Sequence, residues 1–456
     1  NSKYMSINNT FYNFLFIKNK IIYYLSNQIM RKILIISYFF PPSNITGAYR
    51  VFSWAKYLNQ SSIYPIIISR RWDNELGKEM IHEKNEHYEL YSLPYNKNLR
   101  DKISEKNAPK IIKIFGKFLT LYEVIAQNFT TKAVPFKNLY YHSVKLLEAN
   151  PDIKLIVTSA KPFILFKFGH DLQKKFKIPW IADYRDDWST SQWYSLKDNQ
   201  DLYTTNKILK AIDYNREMKW LTRATCFTTI SDFYTKRIGD FIKKPGHTVM
   251  NGFDEDEFNE FEKEHLFEEF TITYNGSLYF SQDIKPFLEG FIDTIKHFKN
   301  KIKIRIYFPG LADPHQKNRI ESILKGYEDN YIITERMSKD KVIKIQQKSH
   351  LLLMVSHQGL KGVTSSKIFE YIGIQKPIIL CPGDKDILEK IVKETKSGFV
   401  WDSKKEAQKG LITIIDNFII NKKTPDIKNN KEREFYSRKT QAKKLGLIIN
   451  NILNNK

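Results

Sequence analysis

One segment concentrates groups suited to holding an anion. Gln358–Pro377 reads QGLKGVTSSKIFEYIGIQKP. It follows the apolar run Leu351–Val355 (LLLMV), so a buried strand should end where it begins. Its glycine-containing loop gives way at Thr364, Ser365 and Ser366 to a helical pattern carrying Lys367 and Glu370. A helix start offers unpaired N–H groups and the positive end of the helix dipole. The hydroxyls and the Lys367 ammonium add donors. Glu370, one turn further in, suits hydrogen bonds from a sugar diol. A loop that holds a diphosphate, with a carboxylate nearby for ribose, is what a nucleotide-sugar pocket requires. The competing reading is a plain capped helix with Glu370 on a solvated face.

Ile178–Trp188 (IPWIADYRDDW) is the second such segment. An apolar strand ends there in Asp183, Tyr184, Arg185, Asp186, Asp187 and Trp188. Asp183 or Asp186 suits orienting or deprotonating an acceptor hydroxyl, and Arg185 suits bidentate capture of phosphate. The alternative is an internal Asp–Arg ion pair that fixes a loop. In Pro41–Arg50 (PPSNITGAYR), Gly47 permits close backbone approach and Arg50 supplies charge for an acceptor or phosphate. In Tyr274–Leu278 (YNGSL), Gly276 and Ser277 follow a strand end as donor-binding candidates. Turn shaping is the alternative at both loops. His170, His247 and His357 are isolated, and only His357 lies near the expected site.

These segments need strands and helices to position them. Lys32–Ser37 (KILIIS), a loop, the amphipathic run Tyr49–Leu58 and Ile66–Ser69 (IIIS) open a parallel strand–helix–strand unit. Further strand-like runs follow at Leu155–Thr158, Trp180–Ala182, Cys226–Ile230 and Thr248–Met250. Acidic Asp254–Glu269 reads as a linker. A second series then begins: Phe270–Tyr274, Lys303–Phe308, Tyr331–Thr334, Leu351–Val355, Pro377–Leu380 and Gly398–Trp401. The expected architecture is α/β, with two consecutive doubly wound domains and a hinge near 245–270. Such sheets bind ligands beyond the carboxyl ends of their strands. The expected organisation is an N-terminal extension over 1–29 before Met30, an acceptor domain over 30–245, a donor domain over 246–428 and a Lys-rich helical tail over 429–456.

The chain of 456 residues carries 73 Lys+Arg against 50 Asp+Glu, a formal charge of +23. Anionic partners are therefore expected. The two cysteines, Cys226 and Cys381, form no CxxC or Cys/His cluster, which argues against structural zinc and fits a reducing cytoplasm. No run is long and apolar enough for a transmembrane helix. Phe11–Leu25 is interrupted by Lys18, Asn19 and Lys20. Between Lys97 and Lys137 nine Lys/Arg face three acidic residues. Within that stretch Ile111, Ile112, Ile114, Phe115, Phe118, Leu119 and Tyr122 form an apolar stripe. A basic amphipathic helix of this kind suits an anionic membrane surface; a core-facing helix with a solvated Lys face is the alternative. No zinc finger, RNA-recognition or helix-turn-helix signature supports specific nucleic-acid binding.

The tandem α/β pattern, the opening strand followed by PP…G, and the late K-I-F-E-Y-x-G-x-x-K-P-I resemble the retaining GT-B glycosyltransferases of family 4. The resemblance implies two facing Rossmann-like domains, with a C-terminal helix returning toward the first. It implies transfer of a sugar from a nucleotide-sugar to a cell-surface glycan or lipid-linked acceptor, without metal or cofactor, at the inner face of the plasma membrane. In such proteins two glutamates eight positions apart serve the donor. Glu370 matches the second, which binds ribose. The first falls on Gly362, so contact with the transferred sugar passes to the backbone. An Arg and a Lys are usual after the first donor-domain strand; here Ser277 and Gln282 stand near those places, which shifts diphosphate contact to Lys367 and the helix-start amides. A nucleotide-sugar epimerase on the same scaffold is the second functional expectation, and a basic nucleic-acid-binding protein the third.

Overall fold

The computed structural model describes residues 30–73, 79–97, 101, 110–192, 203–259, 264–299, 301–425, 427 and 431–455. The expected extension over 1–29 lies outside this set, as do the side chains of 111–115 and 117. The chain forms two compact units. The first holds residues up to Thr229, Thr235–Val249 and Ala442–Lys456; the second holds Ile230–Tyr234 and Met250–Gln441.

The first unit is built on an eight-stranded sheet. Its strands are β1 (Arg31–Ser37), β2 (Ile63–Arg70), β3 (Ile81–Lys84), β4 (Glu89–Leu93), β5 (Ile153–Ala160), β6 (Trp180–Tyr184), β7 (Cys226–Thr229) and β8 (Gly246–Thr248). Their order is β3-β4-β2-β1-β5-β6-β7-β8, and only the β3–β4 pair is antiparallel. Burial on both faces explains the near-continuous apolar sequence of the central strands. β1, for example, buries Ile33 through Ser37. The order reverses between β1 and β5, so the loops after these strands diverge at a topological switch point.

The second unit carries β9 (Phe270–Thr273), β10 (Ile304–Pro309), β11 (Tyr331–Thr334), β12 (Leu351–Met354), β13 (Ile378–Leu380) and β14 (Gly398–Val400). The order is β11-β10-β9-β12-β13-β14, parallel throughout. This is the mononucleotide-binding order, with its switch point between β9 and β12. Leu351 and Leu352 lie beside Ile272 and Thr273 there, so the two following loops leave the sheet side by side.

The expected tail helix spans Arg438–Asn454 and does return to the first unit. Ala442, Leu445, Ile448 and Ile449 are buried in one cluster with Ile33, Trp54 and Leu58. Gly446 lies against Ser61, where an added Cβ would stand 2.3 Å from Oγ. Part of the acidic segment expected to be a linker is instead a packed helix, Glu255–Asn259. Phe258 fills the space beside Gly373, and Glu257 pairs with Lys339. Glu257 thus serves as a local anchor within the second unit.

Candidate functional site

In the second unit the loops after β9 and β12 meet. Tyr274 is fully buried and is followed by Asn275 and by Gly276, whose φ of +74° favours glycine. Gly276 donates its N–H to the Pro309 carbonyl at 2.8 Å and lies against Gly310, so two glycine backbones abut beneath the loop. From β12 the chain runs through Gly362 to Ser365, which caps the helix Ser366–Ile374.

Lys367 projects from the first turn of that helix onto the β9 loop. Its Nζ donates to Tyr274 Oη at 2.9 Å and to the Ser277 carbonyl at 3.0 Å, and it lies 4.2 Å from the Tyr274 ring centroid. Burial pulls its pKa down to about 7, with Glu370 opposing. Ser277 contributes this carbonyl rather than its hydroxyl. Glu370 accepts from Gln346 Nε2 at 2.6 Å and from Asn275 Nδ2 at 3.5 Å. Burial raises its pKa, which the Gln346 hydrogen bond counters. Tyr371 donates to Asn275 Oδ1 at 2.7 Å and so fixes the loop against the helix. Thr364 Oγ1 is buried and has no hydrogen-bond partner among the described residues. An orphaned hydroxyl beside a helix start is an open donor position for a ligand.

The sequence therefore places Gly276, Ser277, Thr364, Ser365, Ser366, Lys367 and Glu370 in one neighbourhood, and the fold assembles them. Tyr274, Asn275, Gln346 and Tyr371 complete it. Gln346 carried a signal: it is buried three positions after buried Ile343, on the inward face of an otherwise charged helix. His357 is held by Ser281, Nδ1 to Oγ at 2.7 Å. Burial and the nearby Lys367 charge push it down to about 4, so it is neutral at physiological pH.

Gly362 departs furthest from expectation. Its N–H donates to Asp386 Oδ2 at 2.6 Å and is already committed within the protein. Its φ is +71°, and an added Cβ would stand 2.8 Å from both Ser231 Oγ and Phe233 Cβ. There is no room here for the glutamate of the resembled family. Gly362→Glu should destabilise the protein by about 2–4 kcal/mol through left-handed strain and overpacking. A thermal melt checks this; a parental melting temperature would contradict it.

In the first unit the charged string after β6 divides into separate roles. Asp183 is fully buried and accepts from four donors: Arg50 Nη2 at 2.7 Å, Arg50 Nε at 3.2 Å, Ser159 Oγ at 2.7 Å and Thr228 Oγ1 at 2.7 Å. Four donors fill the lone-pair positions of a carboxylate, leaving no acceptor for a substrate proton. Arg50, also buried, donates Nη1 to the Val249 carbonyl at 2.7 Å. The internal Asp–Arg pair that the sequence left open thus exists, but its arginine is Arg50 and not Arg185.

Arg185 donates Nε to the Ala160 carbonyl at 2.5 Å and Nη2 to the Lys161 carbonyl at 2.9 Å, and stands over Phe39. It also lies against Gly47: an added Cβ there would fall 1.1 Å from Nη1. Glycine is therefore required by the arginine, and the two candidates meet at the switch point of the first sheet. Asp186 is exposed and pairs with Lys161 at 3.2 Å. Glu217, missed in the sequence, is fully buried and pushed up to about 7 by burial. It accepts from Tyr184 Oη at 2.8 Å and from the Ser189 N–H at 2.9 Å, holding the string on both sides.

No family model matches the chain, and no curated protein matches it in sequence. Solved structures do share its fold. Sucrose-phosphate synthase from Thermosynechococcus elongatus superposes with a TM-score of 0.57 at 13% identity, over 93% of this chain and 100% of that one. A glycosyltransferase from Rickettsia africae gives 0.55 at 15%, over 93% and 100%. HepE of Anabaena, in complex with UDP-glucose, gives 0.53 at 12%, over 92% and 99%. The fold is GT-B. At these identities the likeness speaks for architecture: two Rossmann-like units, as the strand orders show independently.

Proposed function

We propose that this protein is a glycosyltransferase that moves a sugar from a nucleotide-sugar donor to a glycan or lipid-linked saccharide. The observation that carries the proposal is the Lys367 ammonium at the start of the Ser366–Ile374 helix, beside the β9–β12 switch point. That is where a mononucleotide-binding sheet presents its ligand site. The helix-start N–H groups of Thr364–Ser366, the orphaned Thr364 hydroxyl and Lys367 would receive the diphosphate. Glu370, on the same helix face as Lys367, would take the ribose hydroxyls. Three structures of one fold neighbour, HepE, contain UDP or UDP-glucose, which agrees with a nucleotide-sugar ligand.

The chemistry follows from this placement. Bond cleavage at the anomeric carbon leaves negative charge on the diphosphate. A cation and a helix dipole fixed in advance stabilise that charge without reorganising. Retention of configuration and membership of family 4 belong to the same proposal and rest on the motif K-I-F-E-Y-x-G-x-x-K-P-I. The acceptor is assigned to the first unit, with Arg185 against Gly47 and Asp186 on Lys161, while Asp183 and Arg50 form the buried pair that holds β6 in place. The reaction belongs to the cytoplasm, at the inner face of the plasma membrane, and needs no metal.

A panel of UDP-, GDP- and ADP-sugars tests the donor assignment. One of them at about 100 times its Kd should raise the melting temperature by roughly 5–10 °C. Without acceptor, slow release of free sugar is expected. If no nucleotide-sugar shifts the melt, or if the product is an epimer of the donor, the proposal is wrong.

A further inference from the structure

Among the described residues, the helix Lys110–Ala126 is held by contacts along one side. Arg216, from the helix Tyr203–Leu221, donates to the Val124 carbonyl and, at 2.8 Å, to Asn128 Oδ1. Glu123 is buried on the same side. The other side presents large apolar groups. Phe118 is 65% exposed, Leu121 52%, Tyr122 67% and Ile125 48%; Phe129, just past the helix end, is 79% exposed. Positions 118, 121, 122, 125 and 129 recur at helical spacing and form one stripe. Single exposed apolar residues are ordinary, but an aligned set of this size marks an interaction surface.

Charge identifies the occupant. Of the three acidic residues between Lys97 and Lys137, Glu123 is buried, while Lys132 and Lys137 are exposed close after the stripe. The chain as a whole carries +23. A second copy seated on this face would bring like charges together, whereas an anionic lipid surface complements them. The stripe is rich in Phe and Tyr, residues that favour the boundary between headgroups and acyl chains. Among the described residues no helix is long and apolar enough to cross a membrane. We propose that Phe118, Leu121, Tyr122, Ile125 and Phe129 insert into the interfacial layer of an anionic bilayer, with Lys132 and Lys137 on its headgroups. The purpose of this docking, delivery of the first unit to a lipid-linked acceptor, rests on the function proposed above; the surface itself does not.

Flotation of the full chain with vesicles tests the proposal. The protein should float with phosphatidylcholine–phosphatidylglycerol vesicles, not with phosphatidylcholine alone, and less as salt rises. The Phe118→Ser, Tyr122→Ser, Ile125→Ser variant should lose roughly tenfold or more in vesicle affinity while melting like the parent. Lys132→Glu, Lys137→Glu gives a second readout that leaves the apolar groups intact, and should also weaken binding. The proposal is overturned if the parent does not float or if the triple variant floats as well as the parent. It is equally overturned if light scattering shows a parental dimer that the triple variant converts to monomer. Flotation lost with the donor-induced melt shift intact refutes docking alone; the converse refutes only the transferase reading.

Discussion

Asp183→Ala should destabilise the first unit by about 3–5 kcal/mol, the cost of leaving a buried guanidinium without its carboxylate. Arg50 would lose both of its hydrogen bonds to the carboxylate while keeping the one to the Val249 carbonyl, and the hydroxyls of Ser159 and Thr228 would lose their acceptor. For a domain of this size the melting temperature should fall by roughly 6–20 °C. The pair ties β6 to β5, β7 and the chain leaving β8, so the loss spreads across four neighbouring strands. An Arg50→Met, Asp183→Asn variant removes both charges and keeps an acceptor for one hydroxyl; it should recover part of the loss. A parental melt for Asp183→Ala would show that the pair does not hold the sheet. It would also return Asp183 to the list of groups free to act on a substrate.

Lys367→Met should weaken donor binding by roughly 10–100-fold, the range for a hydrogen bond to a charged group. The apolar stem is retained, and Tyr274 can still donate to the Ser277 carbonyl at 2.8 Å, so the loop should stay in place. The pH dependence provides the sharper test. With the ammonium pulled down to about 7 in the free protein, the charged form prevails below that pH. A bound diphosphate stabilises the charge and raises the pKa. Affinity should therefore be flat below about pH 7 and fall as pH rises above it, by at most about tenfold per unit. The diphosphate diester of a nucleotide-sugar does not titrate in this range. Calorimetric titration from pH 6 to 9 would show the fall in the parent and a flat profile in Lys367→Met. A flat profile in both would remove Lys367 from the donor site.

The two sheets were legible because their strands are buried on both faces. KILIIS, LIVT and LLLMV are apolar without alternation, and each lies in the centre of a sheet. β3 and β4 left no such trace. Ile81–Lys84 (IHEK) lies at the sheet edge, and three of its four residues face solvent, so nothing selects for an apolar run. The candidate site around Lys367 was visible as far as it is local: a strand, a glycine loop and hydroxyl groups opening a helix. Its partners were not. Gln346 reaches Glu370 across 24 positions and Lys367 reaches Tyr274 across 93, distances at which spacing carries no information. The same holds for Asp183. Its charge stood out at a strand end, but the choice between a catalytic carboxylate and a buried ion pair depended on Arg50, 133 positions away.

The most direct test is a crystal structure of the full chain with whichever nucleotide-sugar raises the melting temperature most. The diphosphate should lie within about 3 Å of Lys367 Nζ and of the amides at Thr364–Ser366, with the ribose hydroxyls on Glu370. A nucleotide bound elsewhere, with Lys367 still donating to Tyr274 and the Ser277 carbonyl, would contradict that placement.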